Sequence, residues 1–561
     1  MVGRSIRAVV AAIVPALLVL AGISAADKDP SGLRPAQAHA EVKAVSPDKA
    51  KGAKAHDGTR LMDEITFYPR LIRLAHSGEA NGRIMLSVVT DTPSHTGVIF
   101  ESTDDGRSFH EVGRIADPWG AAPRGGCCSS IFELPRQIGS MPAGTLLWAS
   151  TMGRNAGEAR IRLWKSNDLG RTWTFVSTPY AAPNDLGVWE PEMSIDAYGR
   201  LVIHFADETE QPEHSQILAR VVSEDGVNWS EKHATVRSSV AHYRPGMPVV
   251  AELPDGSYVM AYEICAMAAP YHCDVRLRYS SDGWNWGDET DLGVRPTTVD
   301  GKYFTHTPTI TWVPGDSPDG RVLLIGQILQ ERSGAVAEGN GATVFVNTTN
   351  ARGYWYEIPA PVEVPDARDA VCPNYSSTLL TTADGTGLIE VATDQPPGEN
   401  TCAAYVDTGS AIGSGEVRKL PRQWHRLVNV ASAHCLDVAG GSSESGANIA
   451  QWLCNELPPQ DFRPEKAGDG LFRLQARVSG HCVDVVGPVE AGADVRQQTC
   501  SDTPTQLWRF HEVGRDYYRV ADRSGTYCLE VVGGSPAPGA DVVLGRCADR
   551  ASQTWRLERR R

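Results

Sequence analysis

Short runs of alternating apolar and polar residues fill most of the chain, as in ARIRLWKS (159–166) and DVRLRYSS (274–281), and each run ends in the same punctuation. An alternation of period two is that of a half-buried strand. The punctuation reads Ser-x-Asp-(x)-Gly-x-x-aromatic. It occurs as STDDGRSF from Ser102, SNDLGRTW from Ser166, SEDGVNW from Ser223 and SSDGWNW from Ser280, with a degenerate copy, NTTNARGYW, from Asn347. In such a hairpin turn Asp caps the backbone, Gly supplies a positive φ and the aromatic packs beneath the loop. The copies recur about every sixty residues, enough for one blade of about four strands. The pattern therefore predicts an all-β chain whose residues 61–413 form a six-bladed β-propeller, the last blade closed by the N-terminal strand.

The N-terminus breaks the alternation. Arg4 and Arg7 precede the apolar run AVVAAIVPALLVLAGIS, and small residues follow at Ser24, Ala25 and Ala26. This predicts a cleaved export signal over 1–26 and a disordered Ala/Lys-rich leader over 27–60, with a second possible cleavage point at Ala38–Ala40. No other stretch is long and apolar enough to span a bilayer, so a secreted, extracellular monomer without membrane partners is expected. The 12 cysteines fit that compartment. None shows the CxxC spacing with nearby histidines that zinc prefers, so disulfides are expected and no metal or cofactor. A net charge of −15 argues against nucleic acid.

A second repeat fills the C-terminus. Cys435-Leu-Asp437, Cys482-Val-Asp484 and Cys528-Leu-Glu530 recur about 46 residues apart. Each is followed by another cysteine (Cys454, Cys500, Cys547) and by Gln-x-aromatic at Gln460-Asp-Phe462, Gln506-Leu-Trp508 and Gln553-Thr-Trp555. This unit resembles the repeat of ricin B-type β-trefoil lectins and predicts such a domain over 424–561, after a short linker at 414–423. The resemblance implies the disulfides Cys435–Cys454, Cys482–Cys500 and Cys528–Cys547. It also implies a sugar site wherever the acid after the first cysteine is joined by an aromatic platform two residues before the second. The first repeat keeps both, as Asp437 and Trp452 with Asn455 nearby, although Ala450 stands where a Gln is usual. The second repeat has Gln498 in place of the aromatic, and the third has Gly545 and Glu530. One weak sugar site is expected rather than three.

Candidate chemistry lies where carboxylates interrupt the strand pattern. GVWEPEMS places Glu190 and Glu192 around a proline beside Trp189, and SYVMAYEIC ends an apolar strand with Glu263 after Tyr262. Glu190 falls between the second and third turn motifs and Glu263 between the third and fourth, so they belong to neighbouring blades, expected at comparable positions on inner strands. Two facing carboxyls suit general acid and nucleophile work on a glycoside, and Trp189 and Tyr262 are expected as the wall or hydroxyl that tunes them. Glu192 is the rival to Glu190. Asp207 and Glu208 are candidates for the rim, Arg70 for gripping a substrate hydroxyl, and His306, Asn374 and Tyr375 for cleft loops. Cys265 is expected to pair with Cys273 and Cys372 with Cys402. The vicinal Cys127 and Cys128 are read either as a bridge or as two thiols.

Two related families carry this architecture. The turn motifs resemble the Asp-boxes of the sialidase superfamily, and YPRL, EPEMSIDAYGRL and NYSS resemble the sialidase segments bearing an arginine, a glutamate and a tyrosine. Where a sialidase carries its next arginine, however, this chain reads LVIHFADE. Acidic residues there would repel sialic acid. The contexts VWEPE and AYEI, on neighbouring blades at this separation, resemble glycoside hydrolase family 93. That resemblance implies a secreted, retaining exo-enzyme that releases arabinobiose from α-1,5-L-arabinan, with Glu190 and Glu263 as the pair. Glu263 is favoured as nucleophile and Glu190 as acid/base, an order that can be reversed. The alternatives are an exo-sialidase and a non-catalytic glycan-binding propeller–lectin.

Overall fold

The computed structural model describes residues 58–560, except 91, 93–95, 122, 397, 400, 412–414 and 469. The expected export signal and nearly all of the expected leader lie outside the described residues. Among the described residues the propeller comprises six antiparallel sheets, here blades 1 to 6. Their innermost strands are Phe67–Arg73, Gly126–Glu133, Val188–Ile195, Arg244–Glu252, Thr309–Val313 and Thr378–Thr381. Thr59–Arg60, at the end of the segment expected as leader, forms the outer strand of blade 6 and pairs with Tyr405 and Val406. That pairing joins the two ends of the propeller and removes an open edge.

The turn motifs fold alike. Ser102 donates its hydroxyl to Asp104 at 2.8 Å and accepts the N–H of Gly106 at 2.9 Å. Asp104 also accepts the N–H of Ser108 at 2.9 Å. Ser166, Asp168 and Gly170 repeat this set, as do Ser223, Asp225 and Gly226. Gly106, Gly170, Gly226 and Gly283 adopt φ of 87°, 80°, 73° and 71°, where a Cβ would be strained. Between blades the apolar strand faces interlock. Leu147, Ile161 and Leu163 of blade 2 meet Ile203, Phe205 and Ile217 of blade 3 in one fully buried cluster.

The other end of each blade departs from regularity. Near the start of the inner strands, or just ahead of them, stand residues with positive φ: Tyr68, Cys128, Glu190, Met247, His306, Thr307 and Ser376. In blades 1 to 4 the strand register slips there, between Phe67 and Arg70, Cys127 and Ser129, Trp189 and Glu192, and Gly246 and Val249. These are β-bulges, which locally break the alternation of faces and re-aim side chains.

The C-terminal domain is a β-trefoil. Phe462, Trp508 and Trp555, one from each repeat, lie fully buried in a common core with Leu436, Val483 and Leu529. Each such aromatic contributes about 2–3 kcal/mol by burial. Gln460, Gln506 and Gln553 donate to Asp437, Asp484 and Glu530 at 2.8, 2.9 and 2.8 Å. The segment expected as a linker is partly structured, since Gly415 and Glu416 pair with Glu512 and His511.

Propeller and trefoil share a core. Leu323, Val344, Tyr356 and Leu388 pack with Val430, Val513, Tyr517 and Ala551 of the trefoil. Arg556 reaches Asp300 at 2.9 Å across this boundary, and Arg321 lies 3.5 Å from Asp549. The N–H of Arg515 donates to the carbonyl of Glu357 at 2.9 Å. The six described disulfides are Cys127–Cys128, Cys265–Cys273, Cys372–Cys402, Cys435–Cys454, Cys482–Cys500 and Cys528–Cys547.

Candidate active site

Glu190 and Glu263 converge, but not from the equivalent positions expected. Glu190 sits on the inner strand of blade 3, at the bulge, with φ of 54°. Glu263 lies near the end of the second strand of blade 4, opposite Gly246 of the inner strand. Antiparallel pairing returns that second strand to the same end of the propeller. Gly246 lets Glu263 through: a β-carbon there would lie 3.7 Å from Glu190 Oε2, 3.7 Å from Glu263 Oε1 and only 2.6 Å from Gln216 Nε2. The two carboxylate oxygens are therefore no more than twice 3.7 Å apart, with the Gln216 amide close by.

Each carboxylate is anchored by the positive-φ entry of the next blade. The N–H of Met247 donates to Glu190 at 3.1 Å, and that of Thr307 donates to Glu263 at 2.7 Å. Burial pushes Glu190 up to about 8, and repulsion from Glu263 pushes in the same direction. Burial likewise raises Glu263, to about 7, against the opposing pull of the Thr307 N–H. Every tenfold loss of acidity corresponds to about 1.4 kcal/mol of extra stability for the protonated form. The pair therefore holds a proton up to neutral pH.

Around the pair the sequence candidates divide. Tyr68 and Tyr375 lie side by side, ring centres 6.5 Å apart, with their hydroxyls 3.9 and 4.0 Å from the sulfur of Met247. Burial raises both phenols, and the charges of Glu190 and Glu263 raise them further, so they remain neutral donors. Arg70 stacks 4.2 Å from the Tyr68 ring centre, and its Nε stands 3.9 Å from Glu192. Glu192 is raised to about 7 by burial, which Arg70 opposes. His306 lies beside Thr307, with Nε2 3.6 Å from Asp369. Neither ring nitrogen has a hydrogen-bond partner among the described residues. Burial lowers its pKa, leaving a neutral imidazole. Trp189 packs its indole where a side chain on Gly187 would stand, 2.2 Å from that position.

Two expectations are corrected. Tyr262 does not serve the carboxylates: neighbours in a strand face opposite sides, and its hydroxyl donates to the carbonyl of Leu292 at 2.7 Å. Asn374 is not a substrate ligand either. Its amide donates to the carbonyl of Gln327 at 3.0 Å while its oxygen accepts from Ser377 at 2.7 Å, so it braces the strand entry. The acidic residues of HFADE do not stand as bare negative charge. Lys232 meets Asp207 at 2.5 Å, and Arg244 pairs with Glu208.

Arg244, Gln216, Gly246 and Met247 were not singled out in the sequence. The signal was present, since YPRL, WEPE, RPGMP and THTPT each put a proline at the entry to an inner strand. Each of these entries also carries a residue with positive φ. Among the described residues one group of potential metal ligands converges within 4.8 Å, Cys265, Cys273 and His306. The two sulfurs are bonded to each other, so they are spent as ligands.

In the trefoil, Trp452 is 48 % exposed while Asp437 behind it is buried. Gly539 of the third repeat approaches the indole, leaving 3.2 Å to the place of a β-carbon. Asn455 caps the following turn, its oxygen accepting the N–H of Leu457 at 2.9 Å. Burial raises the Asp437 carboxyl against the opposing hydrogen bond from Gln460.

Comparison with known proteins follows the same division. Residues 423–555 match the ricin-type beta-trefoil lectin domain family. No curated protein matches the sequence. Among solved structures, an alpha-L-arabinanase of Penicillium chrysogenum complexed with arabinobiose is 25 % identical, with TM-score 0.52, covering 64 % of this chain and 98 % of its own. A GH93 alpha-L-arabinofuranosidase of Fusarium graminearum with arabinobiose is 22 % identical, with TM-score 0.51, covering 63 % of this chain and 97 % of its own. The chain thus joins a six-bladed propeller like those of the family 93 arabinanases and arabinofuranosidases to a ricin-type β-trefoil.

Proposed function

We propose that the protein is a retaining glycoside hydrolase that works from the ends of α-1,5-L-arabinan and releases arabinobiose, with the trefoil holding it to glycan. The observation that carries this reading is the pair Glu190 and Glu263, facing each other past Gly246 and each anchored by a backbone N–H. The close approach of one oxygen from each carboxyl is compatible with the ~5–5.5 Å of a retaining pair. One carboxyl, protonated, gives its proton to the leaving oxygen. The other attacks the anomeric carbon, and water then releases the sugar from the covalent intermediate.

A neutral sugar fits the charges. Arg70 faces Glu192 and Arg244 is bound by Glu208, so both arginines beside the site are met by carboxylates of the chain itself. A sialic acid carboxylate would have to displace them. The arabinobiose complexes of the two similar enzymes support the choice of furanoside. One observation favours the sialidase reading: the Tyr375 phenol, in the NYSS motif, feels the charge of both carboxylates.

Product analysis tests this directly. The purified protein is incubated with linear α-1,5-arabinan and, separately, with a sialyl-lactose, and the released sugars are identified by mass spectrometry. Arabinobiose from the first is expected. Free sialic acid from the second would establish the sialidase reading instead, and no product from either would favour a non-catalytic glycan binder.

A further inference from the structure

We propose that Arg244, locked between Glu208 and Gln216, is the buried counter-charge of the Glu190–Glu263 pair, and that Glu208 sets how much of that charge the pair feels. This rests on the catalytic reading of the two glutamates and deepens it. Arg244 acts through the carboxylates, not on the sugar, and so is a positioning residue.

The geometry is a short chain of contacts. Arg244 begins the inner strand of blade 4, two residues before Gly246, and is 8 % exposed. One guanidinium nitrogen meets Glu208 and lies 2.7 Å from Gln216 Oε1, and the other donates to the Ser215 hydroxyl at 2.8 Å. Gln216 donates its amide to the carbonyl of Pro245 at 2.9 Å, and that amide stands 2.6 Å from the β-carbon position of Gly246, the point that lies 3.7 Å from an oxygen of each catalytic carboxylate. A fixed cation thus sits one side chain away from two acids that share a dry site. Placing two carboxylates together out of water favours protonation of both. A retaining pair needs one of them ionised, and an adjacent positive charge makes that possible at lower pH. At Glu190 the charge of Glu208 disfavours ionisation more than Arg244 favours it, whereas Glu263 feels the arginine without that opposition.

Other charged or titratable groups face the assembly without duplicating this role. Arg70 is engaged by Glu192, Tyr68 and Tyr375 are neutral phenols, His306 is a neutral imidazole, and Asp369 is a further negative charge. Arg244 is therefore the cation whose pull both catalytic carboxylates feel.

The two ends of the ion pair predict opposite effects, which a merely structural role would not produce. The experiment is the pH profile of kcat/KM on a short arabinan oligosaccharide for wild type, Arg244→Met, Arg244→Lys, Glu208→Gln and the double variant Arg244→Met/Glu208→Gln. Losing the cation should move both limbs of the bell upward by about one pH unit. Arg244→Lys should restore most of that shift. Losing the anion in Glu208→Gln should move the limb that reports Glu190 downward, and the double variant should return it toward wild type. Limbs that stay fixed, or move the same way in both single variants, overturn the inference. Should Arg244→Met fail to fold, the isosteric Glu208→Gln decides alone: a downward shift supports the inference, and no shift or an upward one sinks it. Glu190→Gln and Glu263→Gln run in the same assay keep the two questions apart. If they remain active, the catalytic reading itself fails. If they are inactive while the limbs do not move, only the counter-charge is lost.

Discussion

The mouth of the propeller and the face of the trefoil treat their internal symmetry in opposite ways. Six inner strands share one irregularity, a positive-φ residue at or just before the entry, yet the side chains there differ: Tyr68, Cys128, Glu190, Met247, His306 and Ser376. The trefoil keeps one hydrogen bond three times, Gln460 to Asp437, Gln506 to Asp484 and Gln553 to Glu530, while the exposed aromatic beside it survives only as Trp452. In the propeller the scaffold is secured far from the site, by the Ser–Asp–Gly turns, and the mouth is free to vary. In the trefoil the acid after the cysteine belongs to the scaffold in every repeat. Its presence alone therefore does not single out a sugar site, whereas the exposed aromatic is what sets the first repeat apart.

The largest expected effect breaks the comparison on the propeller side. Glu190→Gln and Glu263→Gln should each lower kcat by at least ~10³-fold, with circular dichroism and glycan retention unchanged. Azide added to the corresponding alanine variants assigns the roles, since only loss of the nucleophile should yield a glycosyl azide of inverted configuration. Next comes Gly246→Ala, which puts a methyl 2.6 Å from the Gln216 amide and between the carboxylates. We expect kcat to fall about 10–100-fold, because small misplacements of reacting groups are costly, with little change in Tm.

On the trefoil side, Trp452→Ala should weaken retention on glycan about tenfold, the scale of one aromatic contact, while turnover of a short substrate is unaffected. Gln506→Ala in the second repeat should do the reverse. It leaves Asp484 without its partner and costs about 1–3 kcal/mol of stability, read by thermal unfolding, with no change in glycan retention. The smallest effect concerns the turns. Asp104 is held down at about 2, chiefly by the Ser108 hydroxyl. A depressed carboxyl stabilises the fold above its unfolded pKa of about 4, and that stability is lost as pH falls toward the folded value. Asp104→Asn should therefore flatten the decline of Tm between about pH 4 and pH 2, modestly, because the site is open to solvent.

Much of this architecture was legible because it is local. A turn motif needs only its own seven or eight residues, and the Cys, Gln and Trp of each trefoil repeat sit on one supersecondary unit. Glu190 and Glu263 were legible for a related reason, as charges that strand periodicity does not explain. What could not be read depends on the neighbouring blade. Gly246 matters only because Glu263 stands opposite it and Glu190 beyond it. Gln216 and Arg244 lie on different blades and meet only in the fold. Tyr262 was misjudged because it neighbours Glu263 on a regular strand and so faces the other side, and Asn374 because the turn that carries it aims its amide at the carbonyl of Gln327.

The shared core between trefoil and propeller has a mechanical consequence. A lectin module on a flexible tether gives its enzyme a sphere of reach whose radius is the linker length. Here Tyr356 and Tyr517 pack with their ring centres 5.9 Å apart, and Asp300 and Arg556 clasp across the boundary. The protein is therefore less a leashed enzyme than a pair of calipers with its hinge welded. On the reading proposed above, glycan at Trp452 and a chain end between the glutamates would have to match one span and one angle, so that the spacing of the polymer, not its local concentration, would select where the enzyme works.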